Sequence, residues 1–291
     1  MEPQPNNSPL VVIVGETASG KTALAIAIAK QFGGEIIAAD SRTIYKSLDI
    51  GTAKPTTEEQ DGVPHHMLSV VEPSQSYSAA DFKQSALSIA HDIWSRGKLP
   101  IVVGGSGLYI DALLYDFDFG SQPDPIRRDR LQGLTVAQLQ QELRDKGIPM
   151  PENEQNPRHL IRAIENEGVI SQPRVLRPNT LVIGLVIDRD ALRDKLRRRV
   201  ASMIDTGFVG EVRSAAKKYG WDAPGLQAPG YKAFRPYIEG VQDLEAASAQ
   251  FVQNDLKLAK RQRTWFKRNK SIHWVSKQAE AVELVTTFLN K

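Results

Sequence analysis

The stretch Gly15-Glu-Thr-Ala-Ser-Gly-Lys-Thr22 decides the fold of this 291-residue chain. It matches G-x-x-x-x-G-K-[ST], a glycine-rich loop that joins a strand to a helix and surrounds phosphate oxygens with backbone N–H groups. The context fits, because the buried run Leu10–Val14 precedes the loop and Lys21–Phe32 follows with apolar residues at helical spacing. The sequence therefore predicts a phosphate site at the start of this helix.

The segments around the loop predict a parallel sheet. Gly33-Gly34 ends the first helix, and a second strand, Glu35–Asp40, follows at once. A strand, a helix and a strand this close together indicate a right-handed βαβ unit. Leu99–Val103 and Thr180–Ile187 predict two further buried strands. The expected fold class is α/β, with a parallel-sheet core of the P-loop NTPase type flanked by helices.

Helices make up most of the remaining pattern. Ser78-Ala-Ala-Asp81 is typical of a helix N-cap, and that helix should end at Arg96. Later periodic stretches predict long helices, and Leu108–Leu114 predicts a short one. The long helices are expected at Arg189–Thr206 and Leu244–Arg268. In the second, Phe251, Leu258 and Trp265 are spaced by seven and should form a core-facing stripe.

The pattern between the strands at 99–103 and 180–187 predicts a separate domain. No convincing strand lies between about Asp116 and Asn179, and recurrent prolines separate short polar helices such as Thr135–Lys146 and Arg158–Glu167. We expect a small helical insertion domain at 116–178. Residues 1–115 and 179–291 would then form the catalytic core.

Composition excludes several classes of protein. Hydrophobic residues make up 41% of the chain and charged residues 24%, which is ordinary for a soluble enzyme. The chain has no cysteine, which excludes a disulfide scaffold, a thiolate zinc site and a cysteine nucleophile. No apolar run is long enough to span a bilayer. The polar residues 1–8 predict no secretory signal.

The positive charge of the chain is concentrated in one segment. The net charge is +3 and the pI is about 9.0, yet residues 256–270 carry seven basic residues and no acid. A solvated helix face is one explanation of this run. Contact with nucleic-acid phosphates is the better one, since no acid interrupts it. The basic residues are Lys257, Lys260, Arg261, Arg263, Lys267, Arg268 and Lys270.

Asp40 is the acid that the pattern places beside the phosphate loop. The later strand Leu99–Val103 ends in glycines, whereas the strand after the first helix ends at Asp40. The carboxyl ends of parallel strands share one edge, where ligands of open α/β sheets bind. Asp40 is therefore either a turn residue or a functional carboxylate. In the loop itself, Lys21 supplies a charge and the Thr22 hydroxyl can bind magnesium.

Taken in order, several blocks of the sequence resemble tRNA dimethylallyltransferases over nearly the whole chain. The blocks are Gly15–Thr22, Ala39–Arg42 with Tyr45, Asp49–Pro55, Val63–His66, Tyr77–Phe82, Gly104–Tyr109, Asn156–Arg158 with Arg162–Glu165, Gly207-Phe208 with Glu211-Val212, Gly230–Lys232 and Ala259–Gln262 with Thr264-Trp265. A phosphate loop alone is common, but this ordered set is specific.

The resemblance implies alkylation of a tRNA base. Dimethylallyl diphosphate would donate its prenyl group to the exocyclic N6 of the adenosine next to the anticodon on its 3′ side, with release of diphosphate. Mg²⁺ is the implied cofactor, and the anticodon stem-loop of tRNA is the implied partner. We expect a cytoplasmic monomer without a membrane anchor, in which the helical insertion contacts the tRNA.

The resemblance also implies roles for individual residues. Asp40 is expected to be the general base, with Thr17 and Lys21 as further catalytic residues and Thr22 as the metal ligand. The diphosphate would bind Gly15, Thr17, Ala18, Ser19, Gly20, Lys21 and Thr22. The tRNA would contact Asp40, Ser41, Arg42, Thr43, Ser106, Arg128, Asn156, Pro157, Arg158, His159, Arg162, Lys260, Arg261, Gln262 and Arg263. Taken singly, the arginines and Ser106 could instead be ordinary surface or loop residues.

Three positions depart from the family's usual pattern. Glu16 replaces a proline, Thr43 stands where glutamine is frequent, and Pro229 replaces an aliphatic residue. A carboxylate aimed at a diphosphate would repel it, so we expect Glu16 to face solvent. Thr43 alters how the target base is read at that point. The insertion is also short, which predicts fewer contacts with tRNA.

Two other functions would use the same phosphate loop or basic segment, and one pair of histidines could suggest a metal site. A small-molecule kinase would use the same loop but transfer a phosphoryl group and need arginines that close over it. A nucleotide-gated RNA-binding protein would bind RNA and form no product. His65 and His66 do not predict zinc, because adjacent histidines point in different directions and no third ligand is spaced nearby.

Overall fold

The computed structural model describes residues 8–117, 119, 124–167 and 175–290. Residues 1–7, on which the expectation about a secretory signal rests, lie outside this part of the chain. The same holds for two prolines of the insertion, Pro123 and Pro173.

A six-stranded parallel sheet forms the centre of the larger unit. Its order is β3-β2-β4-β1-β5-β6, and every neighbouring pair is parallel. β1 and β4 are buried along their whole length, as expected for a parallel sheet covered on both faces. The strands are β1 (Leu10–Gly15), β2 (Gly34–Ala38), β3 (His65–His66), β4 (Leu99–Gly104), β5 (Thr180–Leu185) and β6 (Ile272–Val275).

Helices cover the sheet and extend the core. Apolar side chains of α1 and α12 pack with the strands, while α8 to α11 form a second apolar cluster that includes Phe208, Phe234 and Phe251. The helices of this unit are α1 (Lys21–Phe32), α2 (Thr57–Gln60), α3 (Ala79–Ser95), α4 (Gly107–Leu114), α8 (Arg189–Asp205), α9 (Phe208–Tyr219), α10 (Pro229–Ile238), α11 (Leu244–Phe266) and α12 (Gln278–Leu289).

The smaller compact unit spans Asp116–Val175, compared with the 116–178 that the sequence suggests. It contains α5 (Pro125–Gln132), α6 (Val136–Asp145) and α7 (Pro157–Glu165), which share an apolar core of their own. Leu131, Leu139, Leu143 and Leu160 are fully buried in that core. The larger unit comprises Met1–Tyr115 and Leu176–Lys291.

Local chemistry explains where several elements begin and end. Ser78 and Asp81 form a reciprocal capping box at the start of α3, as the sequence predicts. Gly33 ends α1 in the left-handed region, with φ of 64°. Among the described residues, no helix combines the length and the apolar character that crossing a membrane requires.

The α/β fold class with a parallel sheet is confirmed, with corrections in detail. Strand β2 ends at Ala38 rather than Asp40, and β5 ends at Leu185 rather than Ile187. The edge strands β3 and β6 were not predicted, because each is short and β6 has only Ile272 and Val275 buried. Helix α11 ends at Phe266 rather than Arg268. The expected core-facing stripe is also wrong at its end, since Phe251 is buried whereas Trp265 is 36% exposed.

Candidate active site

The phosphate loop joins β1 to α1 in a conformation built for anions. Gly15 lies against β5, where an added Cβ would come within 2.9 Å of the Leu185 carbonyl oxygen. Gly20 is left-handed with φ of 96° and precedes α1 without a side-chain cap from the described residues. The first N–H groups of α1 are therefore available to an anion. Ala18, at φ of 59°, holds a conformation that is unusual for a non-glycine residue.

Lys21 carries the main side-chain charge of the loop. Its Nζ donates a hydrogen bond to the backbone oxygen of Glu16 at 2.5 Å. Burial lowers the pKa of Lys21 to about 8; Arg199 also lowers it, whereas the Asp40 and Glu16 carboxylates raise it. The ammonium is thus charged at neutral pH and close to its titration point.

Thr17 is held at two atoms by two different helices. Its backbone N–H donates to Gln262 Oε1 at 2.8 Å, and its Oγ1 accepts a hydrogen bond from Arg199 NH1 at 3.1 Å. Arg199 comes from α8 and also forms an ion pair with Asp255, which is 3% exposed on α11. This pair fixes the Arg199 guanidinium beside the phosphate loop.

Two donors at the loop remain free for a ligand. Arg199 Nε and Ser19 Oγ are buried and have no hydrogen-bond partner within the described residues. Buried polar atoms are rarely left without partners, and both of these lie next to the phosphate loop. Phosphate oxygens are acceptors of the kind that would satisfy them.

Arg199 is a site residue that the sequence did not reveal. It is the last of three consecutive arginines, and their order in the sequence does not show which of them turns inward. Asp255, 56 residues later, is the group that identifies Arg199, and their contact exists only in the folded chain.

Gln262 lies at the phosphate loop rather than on the exposed face where an RNA contact was expected. Besides accepting from Thr17, its Nε2 donates to the Gly105 carbonyl oxygen at 3.1 Å. A Cβ on Gly105 would stand 2.2 Å from that nitrogen, so a larger residue there would displace the Gln262 amide. Gln262 therefore bridges the loop after β1 and the loop after β4.

The expectation that Glu16 faces solvent is wrong. Glu16 is 6% exposed, and its Oε1 lies 3.5 Å from Arg263 NH1 in an ion pair. Burial raises the pKa of Glu16, while Arg263, Lys21 and more distant basic residues oppose that rise. Its Oε2 has no partner in the part of the chain that the structure describes. Arg263, expected to contact RNA, is instead half-buried against this carboxylate.

Asp40 lies at the same edge of the sheet as the phosphate loop, directly after β2. Gly104 makes room for this, because a Cβ there would be 2.0 Å from the Ala39 carbonyl oxygen. Asp40 Oδ1 accepts a hydrogen bond from the Arg42 N–H at 2.8 Å, so the carboxylate does form a turn. Its charge also acts on Lys21, which shows that the carboxylate and the loop share one electrostatic environment.

The residues after Asp40 differ in accessibility. The Ser41 N–H donates to Ser106 Oγ at 2.9 Å, and Arg42 is partly exposed with NH1 donating to the Pro224 oxygen at 3.4 Å. Thr43 is 6% exposed, and among the described residues nothing pairs with its buried Oγ1. Ser41, Ser106 and Arg42 are thus grouped at the edge, whereas the burial of Thr43 does not support a contact with RNA.

A neighbouring loop, 49–51, is anchored by one carboxylate. Glu211 accepts hydrogen bonds from the N–H groups of Asp49, Ile50 and Gly51 at 2.7, 2.8 and 2.9 Å. The Tyr231 hydroxyl donates to the same carboxylate at 2.6 Å. These four bonds hold the loop firmly to α9 and α10.

The basic segment around the end of α11 is mostly exposed. Lys260 and Arg261 lie in solvent as predicted, unlike Gln262 and Arg263. The exposed basic residues of the segment are Lys257, Lys260, Arg261, Lys267, Arg268 and Lys270, which we call the basic face.

In the smaller unit, the predicted RNA contacts fall into two groups. Arg128 and Arg162 both pair with Glu165, whose side chain is 5% exposed, and Asn156 caps α7 by accepting from the Arg158 N–H at 3.0 Å. Pro157 occupies the first turn of α7. Arg158 and His159 are exposed. The first group has structural partners, and the exposed pair is free to meet a ligand.

The structure also defines the surroundings of the metal and histidine candidates. Thr22 is exposed at the start of α1, beside the anion-binding N–H groups. His66 Nε2 pairs with Glu35 at 2.8 Å, and His65 Nδ1 contacts the Val63 oxygen. Within the described ranges, no three His, Cys, Asp or Glu residues cluster in a way that could hold a metal.

Comparisons with known proteins agree on one family. The sequence model described as IPP transferase matches residues 43–269. A tRNA dimethylallyltransferase of Bacillus velezensis is 39% identical over 282 residues, which cover 91% of this chain and 90% of that protein.

Solved structures give the same result. The full-length tRNA isopentenylpyrophosphate transferase of Bacillus halodurans aligns with a TM-score of 0.76 and 35% identity, over 97% of both chains. A eukaryotic dimethylallyltransferase acting on tRNA aligns with a TM-score of 0.86 over 98% of this chain and 80% of that one. Its identity is 24%, so this likeness concerns the fold alone.

Proposed function

The chain belongs to the IPP transferase family, and from this premise we propose that it transfers a dimethylallyl group from dimethylallyl diphosphate to N6 of the adenosine 3′-adjacent to the tRNA anticodon. The family favours tRNA prenylation over a kinase and over RNA binding without chemistry. The observation that carries the site assignment is that a phosphate loop with unpaired buried donors and the Asp40 carboxylate share one sheet edge.

The proposed chemistry is one substitution at the allylic carbon. The bond from this carbon to the diphosphate oxygen breaks, a bond to N6 forms, and N6 loses one proton while diphosphate leaves. The N6 lone pair is delocalised into the adenine ring, so removal of the proton assists the attack. Asp40 is the proposed base, since it follows β2 at the same edge of the sheet as the donor loop.

The phosphate loop and its supports would stabilise the leaving diphosphate. The N–H groups at the start of α1 and the Lys21 ammonium face the developing negative charge, and Arg199 Nε and Ser19 Oγ offer two further donors. Such preorganised donors act most strongly where charge appears in the transition state. Arg199 is added here to the residues predicted from sequence.

Mg²⁺ is the proposed cofactor, and the donor set fits it. Magnesium usually takes one or two protein oxygens, substrate phosphates and several waters, so a dedicated cluster of carboxylates is not required. The exposed Thr22 hydroxyl stands where an ion shared with the diphosphate would lie. When bound, the ion would neutralise part of the diphosphate charge.

The tRNA is proposed to approach the edge that carries Asp40. The target adenine must leave its stack to bring N6 within hydrogen-bond distance of the carboxylate. The basic face would contact RNA phosphates, and Arg42, two residues after Asp40, is partly exposed at the same edge. In the smaller unit, exposed Arg158 and His159 are the proposed contacts. A tRNA substrate implies that the enzyme works in the cytoplasm.

The test is a direct transfer assay. The protein is incubated with Mg²⁺, dimethylallyl diphosphate and an anticodon stem-loop, and the RNA is weighed by mass spectrometry. We expect the mass of one dimethylallyl group to be added, with release of an equal amount of diphosphate. A stem-loop with guanosine at the target position, which lacks the N6 amine, serves as the control.

Two results would contradict the proposal. Addition of a phosphoryl group to any acceptor would support the kinase instead. Tight stem-loop binding without product, at saturating donor and Mg²⁺, would support an RNA-binding protein without chemistry.

A further inference from the structure

Trp265 is a rigidly held aromatic residue at the surface of the proposed RNA-binding edge. It lies in the last turn of α11 and is 36% exposed. Its Nε1 donates to Asp111 Oδ2 at 3.1 Å. Its five-membered ring lies on Gly107, where an added Cβ would stand 2.5 Å from Trp265 Cδ1. The ring therefore has a fixed position.

The exposure of Trp265 is not explained by its polar atom. The N–H group already has a buried partner, because Asp111 is 6% exposed. What meets water is apolar aromatic surface, and exposing such surface costs about 25 cal/mol per Å². Leu108, which follows Gly107 in the chain, is also 46% exposed. A surface of this kind favours a partner that covers it.

The location of Trp265 connects it with both substrates. Gln262, three residues earlier, contacts Thr17 in the phosphate loop and Gly105. Ser106, which adjoins Gly107, accepts the hydrogen bond of the Ser41 N–H next to Asp40. Trp265 thus stands at the rim of the edge where donor and base are proposed to meet.

The charges near Trp265 indicate what kind of partner fits. Arg261 lies one helical turn before it, and Lys267 and Arg268 follow directly; all three are exposed. Positive side chains around an aromatic ring are the usual platform for unpaired bases, where phosphates meet the charges and a base stacks on the ring.

We propose that Trp265 stacks on an unpaired anticodon-loop base next to the target adenosine. The inference rests on the proposed function and goes beyond it, because it assigns a binding site for a second nucleotide. Extrusion of the target adenine leaves its neighbours without a stacking partner. The indole ring takes the vacated place and stabilises the opened loop.

The test is a thermodynamic cycle on stem-loop binding. Protein with Trp265 or Trp265→Ala is combined with an intact stem-loop or one that is abasic at the nucleotide next to the target, and the four Kd values are measured. With intact RNA, Trp265→Ala should weaken binding roughly 5- to 150-fold. With the matching abasic RNA, the same substitution should have almost no effect. Each nucleotide flanking the target is tested in turn.

Two variants separate stacking from a structural role. Trp265→Phe keeps an aromatic ring but loses the bond to Asp111, and it should bind intact RNA much better than Trp265→Ala. Trp274→Ala is the matched control, since Trp274 on β6 is 40% exposed and packs against Gly184 of β5. It should bind RNA with the wild-type Kd. Circular dichroism confirms that each variant is folded.

The inference is overturned if Trp265→Ala weakens binding equally with intact and every abasic RNA, if Trp265→Phe is as weak as Trp265→Ala, or if Trp274→Ala has the same effect. Because the cycle measures binding, its outcome is independent of turnover. Absence of prenylated product with the wild-type protein would instead overturn the proposed function.

Discussion

Gln262 Oε1 accepts a hydrogen bond from the backbone N–H of Thr17 at 2.8 Å, across 245 residues of sequence. The bond joins α11, which bears the basic face, to the loop that binds the donor phosphate. The side chain of Arg261, one position earlier on the helix, lies in solvent. Under the proposed function, adjacent residues of one helix would therefore serve different substrates.

Replacing Gln262 tests this division. Gln262→Ala leaves the Thr17 N–H and the Gly105 carbonyl without their partner, at a cost of about 1–3 kcal/mol. Donor kcat/KM should fall about tenfold or more, which corresponds to about 1.4 kcal/mol. The stem-loop Kd should stay near the wild-type value. Arg261→Ala should show the reverse pattern in the same steady-state and binding assays, and a shared pattern would refute the division.

Lys21 predicts a dependence on pH. Its pKa is about 8 in the free protein, so the ammonium loses its proton as the pH rises through that value and attracts the diphosphate less. Donor kcat/KM at saturating RNA should therefore fall on the alkaline side of about pH 8. Lys21→Arg stays charged and should lack this limb, although it fits the loop less well. If donor kcat/KM of Lys21→Arg still falls above about pH 8, a group other than Lys21 causes the decrease.

Asp40→Asn separates the base from a binding role. The amide keeps the shape and can still accept from the Arg42 N–H, but it takes up no proton. The kcat should fall about 10²- to 10⁴-fold, the usual range for loss of a general base. Donor and stem-loop Kd values should change far less. Near-normal turnover would remove Asp40 from the mechanism, whereas loss of Mg²⁺-dependent donor binding would make it a metal-site acid.

The basic face predicts a salt dependence. Lys257→Gln, Lys260→Gln and Arg261→Gln together should weaken stem-loop binding and reduce the slope of log Kd against log salt by roughly 0.7–0.9 for each lost phosphate contact. Donor binding should not change. Arg213→Gln with Lys217→Gln on α9 is the control, since both are exposed. An unchanged slope in the triple variant would show that the basic face is only solvated and does not contact RNA phosphates.

The buried pair of Glu16 and Arg263 predicts coupled stability. Arg263→Gln leaves the Glu16 carboxylate buried without its charge partner and should lower the free energy of unfolding by about 1–3 kcal/mol. Glu16→Gln should cost less, because a neutral amide is easier to bury. Urea unfolding of both single variants and the double variant measures the coupling. Additive effects would show that the 3.5 Å contact is energetically irrelevant.

The sequence predicts the fold and locates the phosphate loop for a physical reason. The phosphate loop, β1 and α1 are contiguous in the chain, so spacing alone defines them. The position of Asp40 follows from the rule that parallel strands end at one edge of the sheet. Glu16 is different. Its direction depends on Arg263, which lies far along the chain, and no local pattern encodes that contact.

The same limit explains why the partners of residues in α11 and the smaller unit could not be predicted. A run of basic residues shows that a face is charged, but not which member turns inward. Gln262 and Arg263 point to the phosphate loop because α11 crosses the carboxyl ends of β1 and β4. In the sequence, Arg128 and Arg162 resemble unpaired surface charges. In the structure, both pair with Glu165.

The entry and exit of the smaller unit meet at a single point of the larger one. The Arg177 N–H donates to the Leu114 carbonyl oxygen at 2.7 Å, just outside the boundaries at Asp116 and Val175. With respect to the sheet, the chain between Leu114 and Arg177 is one closed loop. Doubling the length of such a loop raises the entropic cost of closing it by only about 0.6 kcal/mol. The core can therefore exchange this unit for a longer, shorter or foreign one as a module. Under the proposed function, RNA contacts made by this unit could then change while the sheet edge that carries the phosphate loop stays the same.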